Sequence, residues 1–296
     1  DIFGKPNKKF FDTLSLFATD EKEKAVLESI AANSDEGKAV YRDLVHDFAH
    51  HADVLGKFKS ARPPIDQIIN MVPTLKPRSY SIASSPLMHP DMIQLCVVLV
   101  DWEVESTKEL RIGEATGYMR QQGPGATLMC AVRASAIVLP KDPQNPVLMA
   151  GMGTGLAPWR AVTQERVMQK RQGKDVGPCV LFFGARFAKY EYLYREEFES
   201  YVSEGVLEIH TAFSRDQARK VYVQHKIVEA GATVAKYLMK QNGHFYVCGS
   251  ARKVPEDIYA AMKAVIMAAE ACAEEDAEAA LSNMKMEGRY TVEAWS

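Results

Sequence analysis

The residues with the types and spacing to do chemistry begin with Gly151-Met152-Gly153-Thr154-Gly155, which follows the apolar run 147–150. A helical stretch, 158–171, starts directly after the glycines and stops at Gly173. Strand, glycine turn, helix is an order that presents bare backbone N–H groups and a positive helix end to a phosphate. Glycines let the backbone approach a diphosphate closely and take positive φ. The spacing is not the G-x-G-x-x-G fingerprint, because Gly155 comes two residues after Gly153, and no Lys-Ser or Lys-Thr pair makes it a P-loop. An ordinary tight strand-to-helix turn has the same composition.

A polar extended segment, Arg78-Ser79-Tyr80-Ser81-Ile82-Ala83-Ser84, has the groups that a flavin needs. Arg78 can bind a diphosphate, Tyr80 offers a face for ring stacking and Ser81 a hydroxyl near the hydride-accepting nitrogen. Thr116, at the start of a short helix behind Gly113, can add backbone N–H groups to the same diphosphate. A strand whose hydroxyls merely satisfy turns reads the same way.

The run 214–224, SRDQARKVYVQ, follows the third strand of the later half, at the carboxyl edge where such sheets bind ligands. Arg215 and Lys220 can clamp a ribose 2′-phosphate while Tyr222 stacks on adenine. For a nucleotide without that phosphate an acidic residue is expected, and Asp216 is the nearby candidate, outnumbered by basic neighbours. A solvated basic loop is the alternative. Cys248-Gly249-Ser250 closes the fourth strand, and Trp295 is an apolar ring at a chain end where side chains fray unless docked.

These groups need elements to hold them. The chain has 296 residues, 47% of them hydrophobic, enough for more than one core. A net charge of −2 argues against nucleic acid as a partner. Five cysteines, widely spaced and without a CxxC pair, indicate reduced thiols and neither a disulfide framework nor a zinc site. No apolar run approaches the ~18 residues that span a bilayer. The start at Asp1, with no methionine, reads as a fragment of a longer protein.

Residues 1–72 read as helical, with Asp20 capping a helix, Glu23 as its reciprocal partner, and an apolar stripe at Val40, Tyr41, Leu44, Val45 and Phe48. His46 and His50 stand four apart, a spacing that could share a metal, but their place on the polar side of that stripe reads as a solvated face. From Lys76 the character changes: 78–84, 93–102, 128–132 and 136–139 read as short strands of part of a β-barrel. From Asn145 strands and helices alternate, which implies a parallel sheet covered on both faces. The fold expected is therefore α/β plus β-barrel, in three parts: 1–72 helical, 73–142 a partial barrel, and 143–296 an α/β nucleotide-binding domain.

RSYSIAS, GEAT, GMGTGLAP, LYREE, SRDQARKVYVQ, YVCGSAR and the ending RYTVEAWS, in that order, resemble the FAD/NADPH half of the diflavin reductases, particularly the NADPH–cytochrome P-450 (haemoprotein) reductase branch. The resemblance covers nearly the whole chain and implies a ferredoxin–NADP reductase-like architecture with a helical connecting domain. It places flavin contacts on Arg78, Tyr80, Ser81, Cys96, Val98, Gly113, Glu114, Ala115 and Thr116. It places NADPH contacts on Gly153, Thr154, Gly155, Arg186, Ser214, Arg215, Lys220, Tyr222, Gln224 and Asp257. Ser81, Cys248 and Glu293 would serve hydride transfer, with Trp295 shielding the flavin. Glu293 stands where the family usually has Asp, and Ser250 replaces a common Asp. The flavodoxin-like FMN domain and the first barrel strands would precede Asp1.

The activity so implied is hydride transfer from NADPH to FAD, then electrons through FMN to a haem protein such as a cytochrome P-450. The implied setting is the cytoplasmic side of an endoplasmic reticulum membrane, with the anchor outside this sequence. A sulfite reductase flavoprotein or a ferredoxin–NADP reductase-like enzyme is the alternative enzyme. An NADP-binding module without redox activity, its barrel incomplete, is the alternative of another class.

Overall fold

The computed structural model describes residues 1–47, 49–250 and 253–295. The chain divides into two compact units, Asp1–Ser79 with Val98–Thr127, and Tyr80–Val97 with Leu128–Ser296.

The first unit is mainly helical: Lys8–Ser15, Glu21–Ala32, Asp35–His46, His51–Lys57, Ile65–Met71 and Glu114–Gln121, with an antiparallel pair β1 (Asp101–Glu103) and β2 (Leu110–Ile112). Phe10, Phe11, Leu14, Leu27, Ile30, Val54 and Phe58 make its core. Leu44 of the expected stripe joins that core, Val40 and Tyr41 pack on it, and Phe48 and the Val45 side chain lie outside the described residues. Asp20 caps Glu21–Ala32 as expected, accepting from the N–H groups of Lys22 and Glu23 at 2.9 Å each. Glu23 does not complete the capping box. Its carboxylate instead binds the Ser60 N–H at 2.8 Å and the Ser60 hydroxyl at 2.7 Å. His50 also departs from expectation: it is part-buried and 2.7 Å from the Asp53 carboxylate, which Arg111 also binds at 2.8 Å. His46 is exposed, and no metal-binding group of acidic, His and Cys residues occurs among the described residues.

The second unit is built on a wholly parallel sheet of β3 (Val147–Met152), β4 (Cys179–Ala185), β5 (Leu207–Phe213), β6 (His244–Ser250) and β7 (Tyr290–Trp295), in the order β5-β4-β3-β6-β7. Its strands are near-continuous apolar runs because both faces are covered. Leu148, Ala150, Val180, Phe182, Phe245 and Val247 point to one core, packed on by Val223–Glu229, Val254–Glu270 and Glu274–Met286. Their neighbours Val147, Met149, Leu181, Phe183, Tyr246 and Cys248 point to the other, under Ala157–Arg171 and Arg195–Ser203. The C-terminal strand, which breaks the alternation in sequence, is the edge strand beside β6.

The strands expected over 78–84, 93–102, 128–132 and 136–139 are the main correction. Among the described residues these segments contribute only β1 and an isolated bridge between Ile82 and Leu95. Ile93, Leu95, Val98, Leu99, Val100, Met129 and Val132 are exposed. A β-branched run becomes a strand through cross-strand packing, and without a neighbour to ladder against the propensity is not realised. No helix among the described residues is long and apolar enough to cross a membrane.

Candidate functional site

The parallel sheet runs outward in both directions from β3: β4 and β5 lie on one side, β6 and β7 on the other. The crevice beyond the carboxyl ends of β3 and β6 is therefore the topological switch point, where open α/β sheets take their ligands. The glycine segment follows β3 at that place, as a 3-10 turn, Gly153–Leu156, that runs straight into Ala157–Arg171 with proline in its first turn. Gly153 has φ +55° and faces open space, a conformation that a side chain would strain. Gly155 is needed for another reason: a Cβ there would stand 2.3 Å from the Cys248 carbonyl oxygen. The turn is thus pressed onto the end of β6, fixing its backbone beside Cys248.

Cys248 is fully buried, and Glu293 stands level with it on β7. Burial, then the Glu293 charge, push the Cys248 thiol up to about 12, with a hydrogen bond from Ser81 acting the other way. The group is a neutral thiol at ordinary pH, a small polar contact and not a nucleophile. Glu293 accepts a hydrogen bond from the Ser135 hydroxyl at 2.8 Å. Ser135, whose oxygen also accepts from the Ile137 N–H at 3.0 Å, was missed by sequence reasoning because it lies 158 positions away between two apolar runs and has no motif of its own. Ser81, Cys248 and Glu293, three of the residues assigned to hydride transfer, are thus neighbours. The fourth, Trp295, is the last residue of β7, and its side chain lies outside the described residues.

Beyond β4 and β5 the basic segment takes shape. The Arg215 N–H bonds the Arg186 carbonyl at 2.8 Å, and the Ser214 N–H bonds the Ala185 carbonyl at 2.9 Å. Asp216 accepts from the Ala188 N–H at 3.0 Å, so its carboxylate already has a structural role. Arg186 is held by Glu191 at 2.5 Å, and Gln224 reaches Asp257 at 3.3 Å. Arg215, Arg219 and Lys220 are exposed and make no ion pair among the described residues. Tyr222 is 40% exposed, its ring 5.7 Å from His225. Uncompensated cations beside an open ring suit a phosphorylated nucleotide. Arg252 of the YVCGSAR motif lies outside the described residues.

The expected flavin contacts are divided between the units. Tyr80, Ser81 and Cys96 belong to the second, with Tyr80 half-buried and the Cys96 side chain hydrogen-bonded to Tyr194. Arg78, Val98, Gly113, Glu114, Ala115 and Thr116 belong to the first, where Arg78 pairs with Glu114 at 3.0 Å. Thr116 is buried; its hydroxyl accepts from the Val100 N–H and donates to the Gly113 carbonyl, at 3.3 Å each. Those bonds hold the loop that opens Glu114–Gln121, and a phosphate at that helix start would meet the half-exposed Arg78 guanidinium.

Comparison with known proteins finds two family matches along the chain. Residues 1–118 match the FAD binding domain family, and residues 149–256 match the oxidoreductase NAD-binding domain family. The whole chain aligns with the NADPH–cytochrome P450 reductase of Drosophila melanogaster at 36% identity, covering 44% of that protein. It aligns end to end, at 37% identity each, with the sulfite reductase [NADPH] flavoprotein component of Saccharomyces cerevisiae and the pyruvate dehydrogenase [NADP(+)] of Cryptosporidium parvum, covering 28% and 17% of them. The chain therefore spans less than half the length of these relatives. With both nucleotide-domain families matched in order and a reductase aligned along its full length, the chain carries an FAD-binding domain and an oxidoreductase NAD-binding domain and is similar throughout to the corresponding portion of these flavoprotein reductases.

Proposed function

We propose that this chain is the hydride-receiving portion of an NADPH-dependent flavoprotein reductase. The observation that carries the proposal is the meeting of Ser81, Cys248 and Glu293 at the β3/β6 switch point, on the sheet whose β5 loop presents unpaired Arg215 and Lys220. Bound FAD would supply the hydride-accepting ring, and NADPH the hydride. Arg215 and Lys220 grip the 2′-phosphate, Tyr222 covers the adenine, and the turn at Gly153–Gly155 approaches the diphosphate. In the first unit Arg78 and the loop 113–116 suit a flavin diphosphate, and in the second Tyr80 offers a face for a flavin ring. The Ser81 hydroxyl and the neutral Cys248 thiol orient the nicotinamide end, while the Glu293 carboxylate, fixed by Ser135, stabilises positive charge there. Trp295 shields the ring and moves aside for the nicotinamide.

In the parent protein, electrons would go on through an FMN domain to a haem protein of the cytochrome P-450 kind, with the parent anchored to the endoplasmic reticulum. Two relatives are named a sulfite reductase [NADPH] flavoprotein component and a pyruvate dehydrogenase [NADP(+)], so a portion similar to this one occurs in proteins of other named activities. A second reading, a nucleotide-binding module without redox activity, is favoured by barrel segments that form only β1 and one bridge and leave Ile93, Leu95, Val98 and Met129 exposed. The visible spectrum separates the two. Bands near roughly 450 nm that bleach with NADPH support the reductase; a colourless chain that still binds NADP supports the module.

A further inference from the structure

Arg160 is a guanidinium in a place where one is rarely found: the first turn of Ala157–Arg171, 8% exposed, directly behind the glycine turn. A buried charge of this kind is retained only with partners on several sides. It donates to the Ala83 carbonyl at 2.7 Å, the Gln94 side-chain oxygen at 2.5 Å and the Glu197 carboxylate at 2.8 Å. The Tyr194 ring covers its remaining face at 4.4 Å, on a residue held in the left-handed region at φ +55°.

The same helix grips the same segment again further along. Gln164 accepts from the Ser85 N–H at 3.0 Å, and Glu165 accepts from the Ser85 hydroxyl at 2.5 Å. The segment they hold is the one that carries Ser81. Its two arms are otherwise joined by the Ala83 N–H to Gln94 carbonyl bond at 2.8 Å, the Gln94 N–H to Ser84 hydroxyl bond at 3.0 Å and the Ile82–Leu95 bridge, too little pairing to hold itself in place. Cys96, two residues beyond Gln94, is tied to Tyr194, so both arms of the bridged segment end on groups around Arg160.

We infer that Arg160 is a positioning residue for hydride transfer: by clamping Ala83 and Gln94 to the helix behind the glycine turn, it sets the Ser81 hydroxyl against Cys248. The inference rests on the reductase reading for its catalytic consequence, but not for the link between Arg160 and Cys248. The partners of Arg160 are Ala83, Gln94, Glu197 and Tyr194, none of them in the basic nucleotide loop, so its removal should slow the reaction without weakening nucleotide binding.

The link is tested in the cofactor-free chain by peptide-resolved alkylation of Cys248, with Cys179, the buried thiol of β4, as the internal control. Arg160→Met should raise Cys248 labelling about tenfold and leave Cys179 unchanged, because local opening is freed while the sheet holds. If Arg160→Met fails to fold, both thiols label together, and Arg160→Lys and Gln94→Ala, which each keep part of the clamp, decide the matter by the same ratio. In the FAD-loaded chain Arg160→Met should slow flavin reduction at saturating NADPH by about 10- to 100-fold, with the NADP dissociation constant unchanged within about twofold. Combined with Ser81→Ala it should add no further loss. An unchanged labelling ratio in the folded variants, or full additivity with Ser81→Ala, overturns the inference. If the unsubstituted chain is not reduced by NADPH, the reductase reading fails, while the labelling ratio still decides whether Arg160 sets Ser81.

Discussion

Gly155 and Cys248 touch through backbone: the turn after β3 lies so close to the last residues of β6 that a single added carbon would meet the Cys248 carbonyl at 2.3 Å. Both partners are backbone on buried elements, so neither can swing away. Gly155→Ala should therefore cost roughly 1–3 kcal/mol of stability or shift the turn, in keeping with overpacking of a filled interior. Urea unfolding measures the first, and the rate of flavin reduction the second. An alanine variant with unaltered stability and rate would show that the contact yields.

The thiols of this sheet give the protein an alkaline limit. Burial raises Cys248 to about 12 and Cys179 to about 11, while an exposed thiol ionises near 9.0. Above that pH the unfolded chain gives up protons that the folded chain keeps, so the stability contributed is complete below about pH 9 and declines toward pH 11–12. Tyr201, Tyr246 and Tyr290, also raised by burial, act with the same sign. Urea midpoints at pH 8 and pH 10.5 should differ, and Cys248→Ala should reduce the difference. The same neutrality means that the pH profile of flavin reduction should show no step from Cys248 between about pH 6 and 10.

On the acid side the helical unit has its own limit. His51 is 1% exposed, its ring edge-on to Phe10 at 4.7 Å, and burial depresses its proton affinity below the ordinary histidine value. The stability due to the neutral ring is full above about pH 6.5 and is lost as pH falls and the unfolded chain takes up the proton. His51→Leu should flatten the loss of helical circular dichroism between about pH 6.5 and 5.

The alternating half was legible because its signals are local. Apolar runs such as PCVLFFG and HFYVC are bounded by Gly and Pro, and a parallel strand buried on both faces needs nothing else to announce it. The barrel strands were not legible, since 93–102 reads as β by composition yet gains only β1 and one bridge in a fold where its partners decide the outcome. Glu23 illustrates the same limit at short range: its spacing from Asp20 fits a capping box, but Ser60, 37 positions on, takes the carboxylate. Ser135 and Arg160 were invisible for that reason too, because what gives each its role is a contact across 66 or more residues.

Nucleotide choice should rest on the unpaired cations. Lys220→Ala and Arg215→Ala should each weaken NADPH binding about tenfold or more, the loss of a charge-assisted contact worth roughly 1.5–3 kcal/mol, and leave NADH binding nearly unchanged. Isothermal titration with both nucleotides checks it. Equal losses for the two would move the 2′-phosphate away from this loop.

The most direct measurement is an anaerobic NADPH titration of the chain reconstituted with FAD, followed in the visible. Stoichiometric bleaching of the bound flavin, slowed strongly by Cys248→Ala and by Glu293→Gln, is the outcome expected of Ser81, Cys248 and Glu293 meeting at the switch point. A flavin that stays oxidised while NADPH binds, or a chain that takes up no FAD, would contradict it.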